Sequence, residues 1–443
     1  MAQALKKFKR DTAELTTTGG LLWTILLFGL CFCLLDSLYL FYAHHIQDGS
    51  GQLRSPPQLD EANKIEQRKG PAQFLKAPPF SKSDITNLLN YRKLHPAITH
   101  ALTVGKEEVI KILEEAGENN LDDATIERLP TWKEIVDIYG GEPKIFGLDT
   151  CATFQTTIDP QESFLAPAGA FNSGTNLMAE LLIANCHLPA RQRKHGINSR
   201  GVRWQVNWGK HQSPKWRLDH DVTTDGKVPN KNILPVVTIR DPYLWMQSMC
   251  RHRYAAHWFH PPGHCPNLVA NDVDYEFLEY AESGAYTLMD TYHHKDPWLV
   301  DNVMNTANFT ADLKIIPLYV KYKKESTNHL SLAHLWNDWY YEYINGDFPR
   351  LIVRFEDLLF FGKEITEKAC KCAGGVMYPK FRHIGRSAKV GTIHGDDKTS
   401  LVEALIRYGQ RQNATRGMTN EDMHFAKTAF DADLMRMFAY SHP

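Results

Sequence analysis

The fold is decided by the segment Ser163-Phe-Leu-Ala-Pro-Ala-Gly-Ala-Phe-Asn-Ser-Gly-Thr-Asn-Leu-Met178. It reads as a short apolar strand, a turn of small residues at 172–175, and the start of a helix. Apolar residues then recur at helical spacing and form one face: Leu177, Met178, Leu181 and Leu182. Such a turn directs unpaired backbone N–H groups and the positive end of the helix dipole at one point. That point attracts phosphate, although an ordinary connection has the same pattern.

A second strand is predicted at Val236-Val-Thr-Ile239, a β-branched run typical of a buried parallel strand, with Arg240 directly after it. Open α/β sheets bind ligands at the carboxyl ends of their strands, where Arg240 would lie. We expect a helix to follow, from about Tyr243 to Trp258. Ser248 would face the same edge, so that an Arg fork and a hydroxyl form a clamp for a second phosphate. The alternative for Arg240 is a structural ion pair with a carboxylate such as Asp241.

The two motifs together resemble those of the sulfotransferase family, which uses 3′-phosphoadenosine 5′-phosphosulfate (PAPS). In that family the first loop, often written K-S-G-T-T, holds the 5′-phosphosulfate. An Arg at a strand end and a Ser eight positions later hold the 3′-phosphate. The resemblance implies a 5′-phosphosulfate loop and a 3′-phosphate clamp here, formed by Asn172, Ser173, Gly174, Thr175 and Asn176 and by Arg240 and Ser248.

Asn172 departs from the family pattern, because many members have Lys there to stabilise the bridging oxygen during transfer. Either Asn172 and backbone donors suffice, or another cation such as Lys210 fills the role. Lys210-His211 followed by Pro214 is similar to the K-x-H-x-P-like segment that supplies the catalytic His in cytosolic relatives. The resemblance implies that His211 is the base and that Lys210 stabilises the leaving group. Some Golgi relatives use Glu as the base, and a surface or packing role is the alternative for His211.

The resemblance covers about residues 145 to 400 and implies a P-loop NTPase-like sulfotransferase fold. This is an α/β domain with a mostly parallel sheet and helices on both faces. Within it, Leu332–Ile344 reads as an aromatic-rich buried helix and Arg350–Leu358 as an interior strand ending at Glu356-Asp357. No G-x-x-x-x-G-K-[ST] occurs, which argues against an ATP- or GTP-hydrolysing P-loop enzyme. Relatives close a basic loop over the nucleotide, and the candidates for that contact, or for a solvated loop, are Arg386, Lys389 and Lys398.

The long apolar segment at residues 21–42 would span roughly 33 Å as a helix, enough for a bilayer core. Four cations precede it, which places residues 1–20 in the cytosol: Lys6, Lys7, Lys9 and Arg10. We predict a signal anchor and a single-pass type II protein of the Golgi membrane. A cleaved signal peptide is the rival, but no small-x-small cleavage site follows. The overall net charge of −1 gives no attraction to nucleic acid.

Beyond the anchor, residues 43–80 have the composition of a flexible stem, and residues 81–141 of a helical lead-in. In the lead-in we expect a helix from Lys106 to Ala116, and a second that opens at a Thr131–Glu134 capping box and stops at Gly140-Gly141. Residues 142–443 form the predicted lumenal catalytic domain.

Six cysteines follow the anchor, and an even number suits disulfides in an oxidising compartment. Fifteen connectivities are possible, and we favour Cys250–Cys265, which flank a His- and Pro-rich loop. The six are Cys151, Cys186, Cys250, Cys265, Cys370 and Cys372. Two glycosylation sequons, at Asn308 and Asn413, also favour the secretory pathway.

Three other patterns have an ordinary alternative. His257, His260, His264 and Cys265 include zinc-ligand types but no standard spacing, so no metal site is expected. The D-x-D pairs at 272–274 and 431–433 follow no clear strand and are expected to be surface acids. Residues 191–217 carry eight Lys or Arg and no acid, which suits an anionic site or a solvated face.

The sequence therefore predicts a sulfotransferase that moves a sulfuryl group from PAPS to an acceptor hydroxyl, on a glycan. Trp204, Trp208 and Trp216 are expected either to stack on sugar rings or to belong to the core. Two alternatives are a metal-dependent Golgi glycosyltransferase and a catalytically inactive sulfotransferase-like binding protein. The missing Lys at Asn172 favours the latter. The acceptor and the oligomeric state are left open.

Overall fold

The computed structural model describes residues 104–219, 228–261, 263–274, 315–322, 325–385 and 400–443, which all belong to one compact unit spanning residues 82–443. The strands, in chain order, are β1 (Ile145–Phe146), β2 (Phe164–Gly169), β3 (Cys186–His187), β4 (Ile233–Ile239), β5 (Ala256–Trp258), β6 (Leu318–Tyr322), β7 (Glu325–His329), β8 (Leu351–Arg354) and β9 (Val376–Met377). The predicted α/β class is confirmed.

The helices surround these strands and are listed here in chain order. They are α1 (Glu107–Glu115), α2 (Asp123–Arg128), α3 (Trp132–Tyr139), α4 (Thr150–Thr157), α5 (Thr175–Asn185), α6 (Pro189–His195), α7 (Trp216–Asp219), α8 (Pro242–Arg251), α9 (Leu332–Ile344), α10 (Phe355–Phe360), α11 (Gly362–Cys372), α12 (Leu401–Gly409), α13 (Asn420–Ala429) and α14 (Ala432–Met437). None of these described helices is long and apolar enough to cross a membrane. The predicted anchor at 21–42 and stem at 43–80 lie outside the described residues, as do Asn308, Arg386, Lys389 and Lys398.

The central sheet has the strand order β1–β8–β4–β2. β2, β4 and β8 are parallel, whereas β1 runs antiparallel to β8, so the sheet is mixed. All seven residues of β4 are buried, as expected for a strand covered on both faces. Antiparallel pairing occurs elsewhere, in a three-stranded sheet β5–β6–β7 and a two-stranded sheet β3–β9.

Apolar side chains of the central strands alternate between two hydrophobic clusters. In β4, Ile233 and Val237 face the larger cluster, while Leu234 and Val236 face the smaller one. The larger cluster includes residues of α1, α3, α8, α9, α12 and α13, and the smaller one includes residues of α4, α5 and α11. Because side chains alternate across a strand, each cluster covers one face of the sheet.

Several predicted elements are confirmed and two have different ends. The buried helix α9 has the predicted bounds, and the Thr131–Glu134 capping box opens α3. The helix after Arg240 ends at Arg251 and not near Trp258, because residues 256–258 pair with β6. The strand β8 ends at Arg354, where Asp357 turns the chain into α10 by accepting two hydrogen bonds from the Arg354 guanidinium.

Three disulfides are present, and they include the predicted Cys250–Cys265 pair. The other two join Cys151 to Cys372 and Cys186 to Cys370. Both therefore attach the last turn of α11, one to α4 and the other to β3. These cross-links fix α11 to a helix and to a strand that border the smaller hydrophobic cluster.

The D-x-D pairs have structural roles. Asp274 was expected at the surface but is only 1% exposed, because its carboxylate binds His264 Nδ1 at 2.8 Å. The other ring nitrogen of His264 binds Asp422 Oδ2, also at 2.8 Å. Asp431 caps the start of α14, as a surface acid can. Within the described ranges, no cluster of His, Cys, Asp and Glu is arranged to hold a metal ion.

The environment of His264 makes stability depend on pH. Burial alone would lower the pKa of His264, but the hydrogen bonds that its ring donates to the Asp274 and Asp422 carboxylates raise it to about 9. An elevated pKa in the folded state means that the stabilisation is full below about pH 6.5 and is lost as the pH rises through about 9.

We therefore predict that the free energy of unfolding falls by about 3 kcal/mol between pH 6.5 and pH 9.5, measured by urea unfolding. His264→Gln should lack this fall, whereas His424→Gln, at an exposed position on the same helix as Asp422, should retain it. An equal pH dependence in both variants would contradict the assignment.

Candidate functional site

The candidate site lies at the carboxyl edge of the central sheet. The register aligns Gly169 of β2 with Thr238 of β4, and Ile239 of β4 with Arg354 of β8. The turn after β2 and the chain after β4 and β8 therefore leave the sheet at one edge. In open α/β sheets this edge is where ligands bind.

Buried hydrogen bonds of the Ser173 hydroxyl fix the turn between β2 and α5. The Ser173 hydroxyl lies 2.8 Å from the Ala170 carbonyl and 2.9 Å from the Thr238 hydroxyl, and it is fully buried. Asn172 and Gly174 have φ values of 60° and 94°, and a Cβ at Gly174 would collide with the Phe355 ring. The predicted phosphate loop thus has a fixed shape, but the Ser173 side chain is bound inward.

The start of α5 has no side-chain cap. Gly174 occupies the capping position and offers no side-chain oxygen to the first N–H groups of the helix. Thr175 and Asn176 are the first two helical residues, so their N–H groups face the carboxyl edge. An uncapped start of an 11-residue helix carries a partial positive charge at this point.

Arg240 lies directly beside this turn. Its Nη1 donates to the Asn172 carbonyl at 2.8 Å, and its guanidinium lies between the rings of Phe355 and Tyr408, 4.9 Å from each centroid. It is 6% exposed, and burial lowers its pKa to about 10. The Nε atom is buried and has no hydrogen-bond partner among the described residues. This N–H group can therefore donate a hydrogen bond to a bound anion.

Asp241, the ion-pair partner considered for Arg240, pairs with a different arginine. Asp241 Oδ2 binds Arg411 Nη2 at 2.9 Å, and Asp241 Oδ1 caps α8 by accepting from two backbone N–H groups. Within the described part of the chain, no carboxylate lies at ion-pair distance from the Arg240 guanidinium. Arg240 and Asp241 therefore form no direct ion pair, but the charges of the buried Glu356 and Asp241 still counter the lowering of the Arg240 pKa by burial.

Ser248 is close to the same turn but its hydroxyl binds a different arginine. It accepts from Arg251 Nη2 at 2.8 Å, and the Ser248 carbonyl accepts from Asn172 Nδ2 at 3.3 Å. Burial lowers the pKa of Arg251, and repulsion from Arg407 and Arg416 lowers it further. Mutually repelling arginines without a carboxylate among the described residues favour binding of an anion.

The sequence patterns did not indicate these three arginines, Arg251, Arg407 and Arg416, which we call the arginine cluster. Arg251 follows Ser248 by three positions, so it lies one turn further along the same face of α8. That spacing was the available signal. Arg407 and Arg416 come from the last part of the chain, and only the tertiary fold brings them near α8.

Lys210 and His211 reach the carboxyl edge through an irregular segment beside β2. Val202 forms a parallel bridge with Leu165, and the Gly169 N–H donates to the Lys210 carbonyl at 2.8 Å. The segment therefore runs parallel to β2 and ends level with it. Because of this pairing, the predicted base and cation lie next to the phosphate loop.

Lys210 contacts the start of α5. Its Nζ donates to Asn176 Oδ1 at 2.8 Å and lies 4.6 Å above the Trp204 ring. Burial lowers the pKa of Lys210 to about 8. The Asn172 amide instead donates to the His252 carbonyl at 2.6 Å, beyond the end of α8. Of the two residues, Lys210 is the one whose polar end lies at the helix start.

His211 has a defined orientation. Its Nδ1 lies 2.8 Å from the Gly169 carbonyl, and a carbonyl only accepts, so Nδ1 carries the hydrogen. The lone pair of the neutral ring is then on Nε2. Glu356 is the glutamate considered as a rival base, because burial and the charge of Asp241 raise its pKa to about 7. Glu356 is fully buried and binds Tyr440, so it cannot contact an acceptor.

The basic residues at 191–217 do not form a single anion-binding site. Arg191 and Arg203 lie over the Phe164 ring, and Lys194 binds Glu162. Of the three tryptophans, Trp208 is buried and donates to the Tyr343 hydroxyl, which excludes stacking on a sugar. Trp204 is 40% exposed and lies beside Lys210.

Comparison with known proteins identified no relative of this chain. No protein-family model matches the chain, and none of the curated proteins or solved structures compared with it is significantly similar.

The shape of the phosphate loop depends on Gly174. We predict that Gly174→Ala lowers the free energy of unfolding by at least about 1 kcal/mol more than Gly196→Ala, because the new methyl group must displace Phe355. Gly196 is the matched control, since its φ of 91° is similar and a Cβ there meets nothing within 4 Å. If chemical denaturation gave equal losses of unfolding free energy for the two variants, contact between the new methyl group and Phe355 would have no energetic cost, which would contradict the prediction.

Proposed function

We propose that this protein is a PAPS-dependent sulfotransferase that transfers a sulfuryl group to an acceptor hydroxyl on a glycan. The observation that carries the proposal is the convergence at one sheet edge of an uncapped helix start, a lysine and an arginine with a free buried donor. The fold would then be the P-loop NTPase-like sulfotransferase fold. The proposed location is the Golgi lumen, attached by the anchor at 21–42, and three disulfides support an oxidising compartment.

The carboxyl edge fits a nucleotide that carries two separate anionic groups. The backbone N–H groups of Gly174, Thr175 and Asn176 suit the 5′-phosphosulfate, as helix starts commonly bind phosphate. Arg240 Nε and the arginine cluster suit the 3′-phosphate. The side chains of Ser173 and Ser248 would contribute less than the sequence predicts, because both already bind protein groups.

The proposed reaction is an in-line transfer. The acceptor oxygen bonds to sulfur while the bond between sulfur and the bridging phosphate oxygen breaks, and the electron pair of that bond stays with the phosphate. His211 Nε2 takes the hydroxyl proton. The Lys210 ammonium offsets the negative charge that grows on the phosphate. Side chains of the protein offset the charges that develop in this reaction, so the proposed mechanism includes no metal ion.

One observation supports a second candidate function. The Asn172 amide is neutral and its Nδ2 donates to the His252 carbonyl, so the position that is Lys in many sulfotransferases supplies no positive charge here. If Lys210 does not replace that charge, the protein would bind the nucleotide without transferring the sulfuryl group. Both candidate functions predict that the protein binds the nucleotide, but only the sulfotransferase predicts transfer of the sulfuryl group.

The binding test uses the full-length protein in detergent with 3′,5′-adenosine bisphosphate, the product of PAPS. At about 100 times its dissociation constant a ligand stabilises by roughly 2.7 kcal/mol, which raises the melting temperature measurably. We expect Arg251→Gln to reduce this shift and Arg436→Gln to retain it, because Arg436 is in an exposed pair with Asp433. A shift seen only with UDP or GDP plus Mn²⁺ would contradict the proposal and favour a glycosyltransferase.

Turnover is measured in the same samples as transfer of labelled sulfuryl from PAPS to a glycan panel. We expect Lys210→Met to keep most of the melting shift and to lose at least tenfold in transfer rate. Wild-type transfer should fall as the pH rises through about 8, where Lys210 loses its proton. Binding without transfer in the wild type would favour the inactive binding protein.

A further inference from the structure

The turn between α12 and α13 contains one of the two glycosylation sequons. Residues 410–417 form this turn, and the sequon within it is Asn413-Ala-Thr415. Three-residue patterns of this kind also arise by chance, so the native contacts of the sequon determine whether a bulky glycan can be carried there. The other sequon, at Asn308, lies outside the described residues.

Contacts on the carboxyl side of Asn413 fix the turn in place. Gln247 Nε2, on α8, donates to the Arg416 carbonyl at 2.7 Å. A Cβ at Gly417 would lie only 2.7 Å from the Cys265 carbonyl oxygen, so the two backbones are in close contact. The turn therefore rests on α8 and on the disulfide-bonded loop, and Asn413 has a defined position.

Asn413 contributes its backbone but not its side chain to this turn. Its carbonyl accepts from the Arg416 N–H at 3.2 Å, and its φ of 60° lies in the left-handed region, which Asn tolerates better than most residues. The residue is exposed, and no described residue binds its side-chain amide. A sugar on Nδ2 would therefore extend into solvent without breaking a contact of the fold.

The other two residues of the sequon differ in burial. The Thr415 hydroxyl has no hydrogen-bond partner in the described part of the chain, so the fold does not depend on this group. Ala414 is 6% exposed and belongs to the larger hydrophobic cluster. Because Ala414 packs only on folding, the whole sequon is accessible in the unfolded chain. After folding, only Asn413 has to remain exposed, and it does.

We propose that Asn413 carries an N-linked glycan. Asn413 Nδ2 bonds to the anomeric carbon of the first sugar of a lipid pyrophosphate-linked oligosaccharide. The bond from that carbon to the pyrophosphate oxygen breaks, its electron pair stays with the pyrophosphate, and one amide proton is released. This inference rests on the proposed lumenal location of the domain, whereas it is independent of the proposed sulfuryl transfer.

The test maps glycosylation in the full-length protein, produced in a eukaryotic secretory cell line and purified from membranes in detergent. Peptide N-glycosidase converts a glycosylated Asn to Asp, and in heavy-oxygen water the new carboxylate carries a heavy oxygen that mass spectrometry locates. A parallel sample without this enzyme reports spontaneous deamidation. The measurement is site-specific and needs neither nucleotide nor acceptor.

Three variants establish the origin of the label. Thr415→Ser keeps the sequon hydroxyl, whereas Thr415→Ala removes it and leaves Asn413 in place. Because the lost hydroxyl has no described partner, Thr415→Ala should melt close to the enzymatically deglycosylated wild type. Asp122→Thr creates a reporter sequon at Asn120, an exposed loop residue, and Thr can replace Asp as the cap of α2.

We expect the label at Asn413 in the wild type and in Thr415→Ser, its loss in Thr415→Ala, and label at both Asn413 and Asn120 in Asp122→Thr. If Asn120 is labelled and Asn413 is not, the domain is lumenal and the proposed glycan is overturned. If neither is labelled, the proposed lumenal location fails together with the glycan. Equal label at Asn413 in Thr415→Ala, or without peptide N-glycosidase, also overturns the proposal, because such label does not depend on the sequon.

Discussion

The register between β2 and β4 is the constraint on which the candidate site depends. It sets Gly169 opposite Thr238, so that the Ser173 and Thr238 hydroxyls meet below the turn at 2.9 Å. The same register brings Arg240 to the level of the Asn172 carbonyl. A slip by one residue would turn each side chain of β4 to the other face and would separate these groups. The loop, the arginine and the strand ends therefore form one unit.

Two further segments are aligned to that unit. The irregular segment at 201–210 pairs with β2 by backbone hydrogen bonds and so delivers Lys210 and His211 to the same edge. The antiparallel sheet and the residues just before it bring the rings of Tyr254 and Tyr322 to centroid distances of 6.4 and 6.3 Å from the His211 ring. The predicted base therefore has Lys210 as its neighbour in the chain and aromatic rings packed around it.

Patterns of local sequence predicted much of this arrangement. The strand–turn–helix at Ser163–Met178, the strand before Arg240, the helix α9 and the Thr131 capping box all follow from periodicity and capping rules that act within a few residues. The Cys250–Cys265 pair was predicted because its two cysteines flank a single loop. In each case the residues that determine the structure are close neighbours in the chain.

Contacts between distant segments were beyond the same rules. The end of α8 at Arg251 depends on strand pairing with β6, and the burial of Asp274 depends on His264 and Asp422. The inward orientation of the Ser173 hydroxyl and the arginine cluster also arise only in the tertiary structure. The residues of the predicted motifs lie together at one sheet edge, whereas the hydrogen-bond partners of their side chains follow only from the tertiary fold.

We propose that the start of α5 and the arginine cluster together bind a nucleotide with two anionic groups. Hydrogen–deuterium exchange of the full-length protein, with and without 3′,5′-adenosine bisphosphate, tests this most directly, because it reports on backbone N–H groups by position. We expect slower exchange in peptides that cover residues 172–178 and 248–252. Unchanged exchange in both peptides at saturating ligand, or protection confined to other segments, would contradict it.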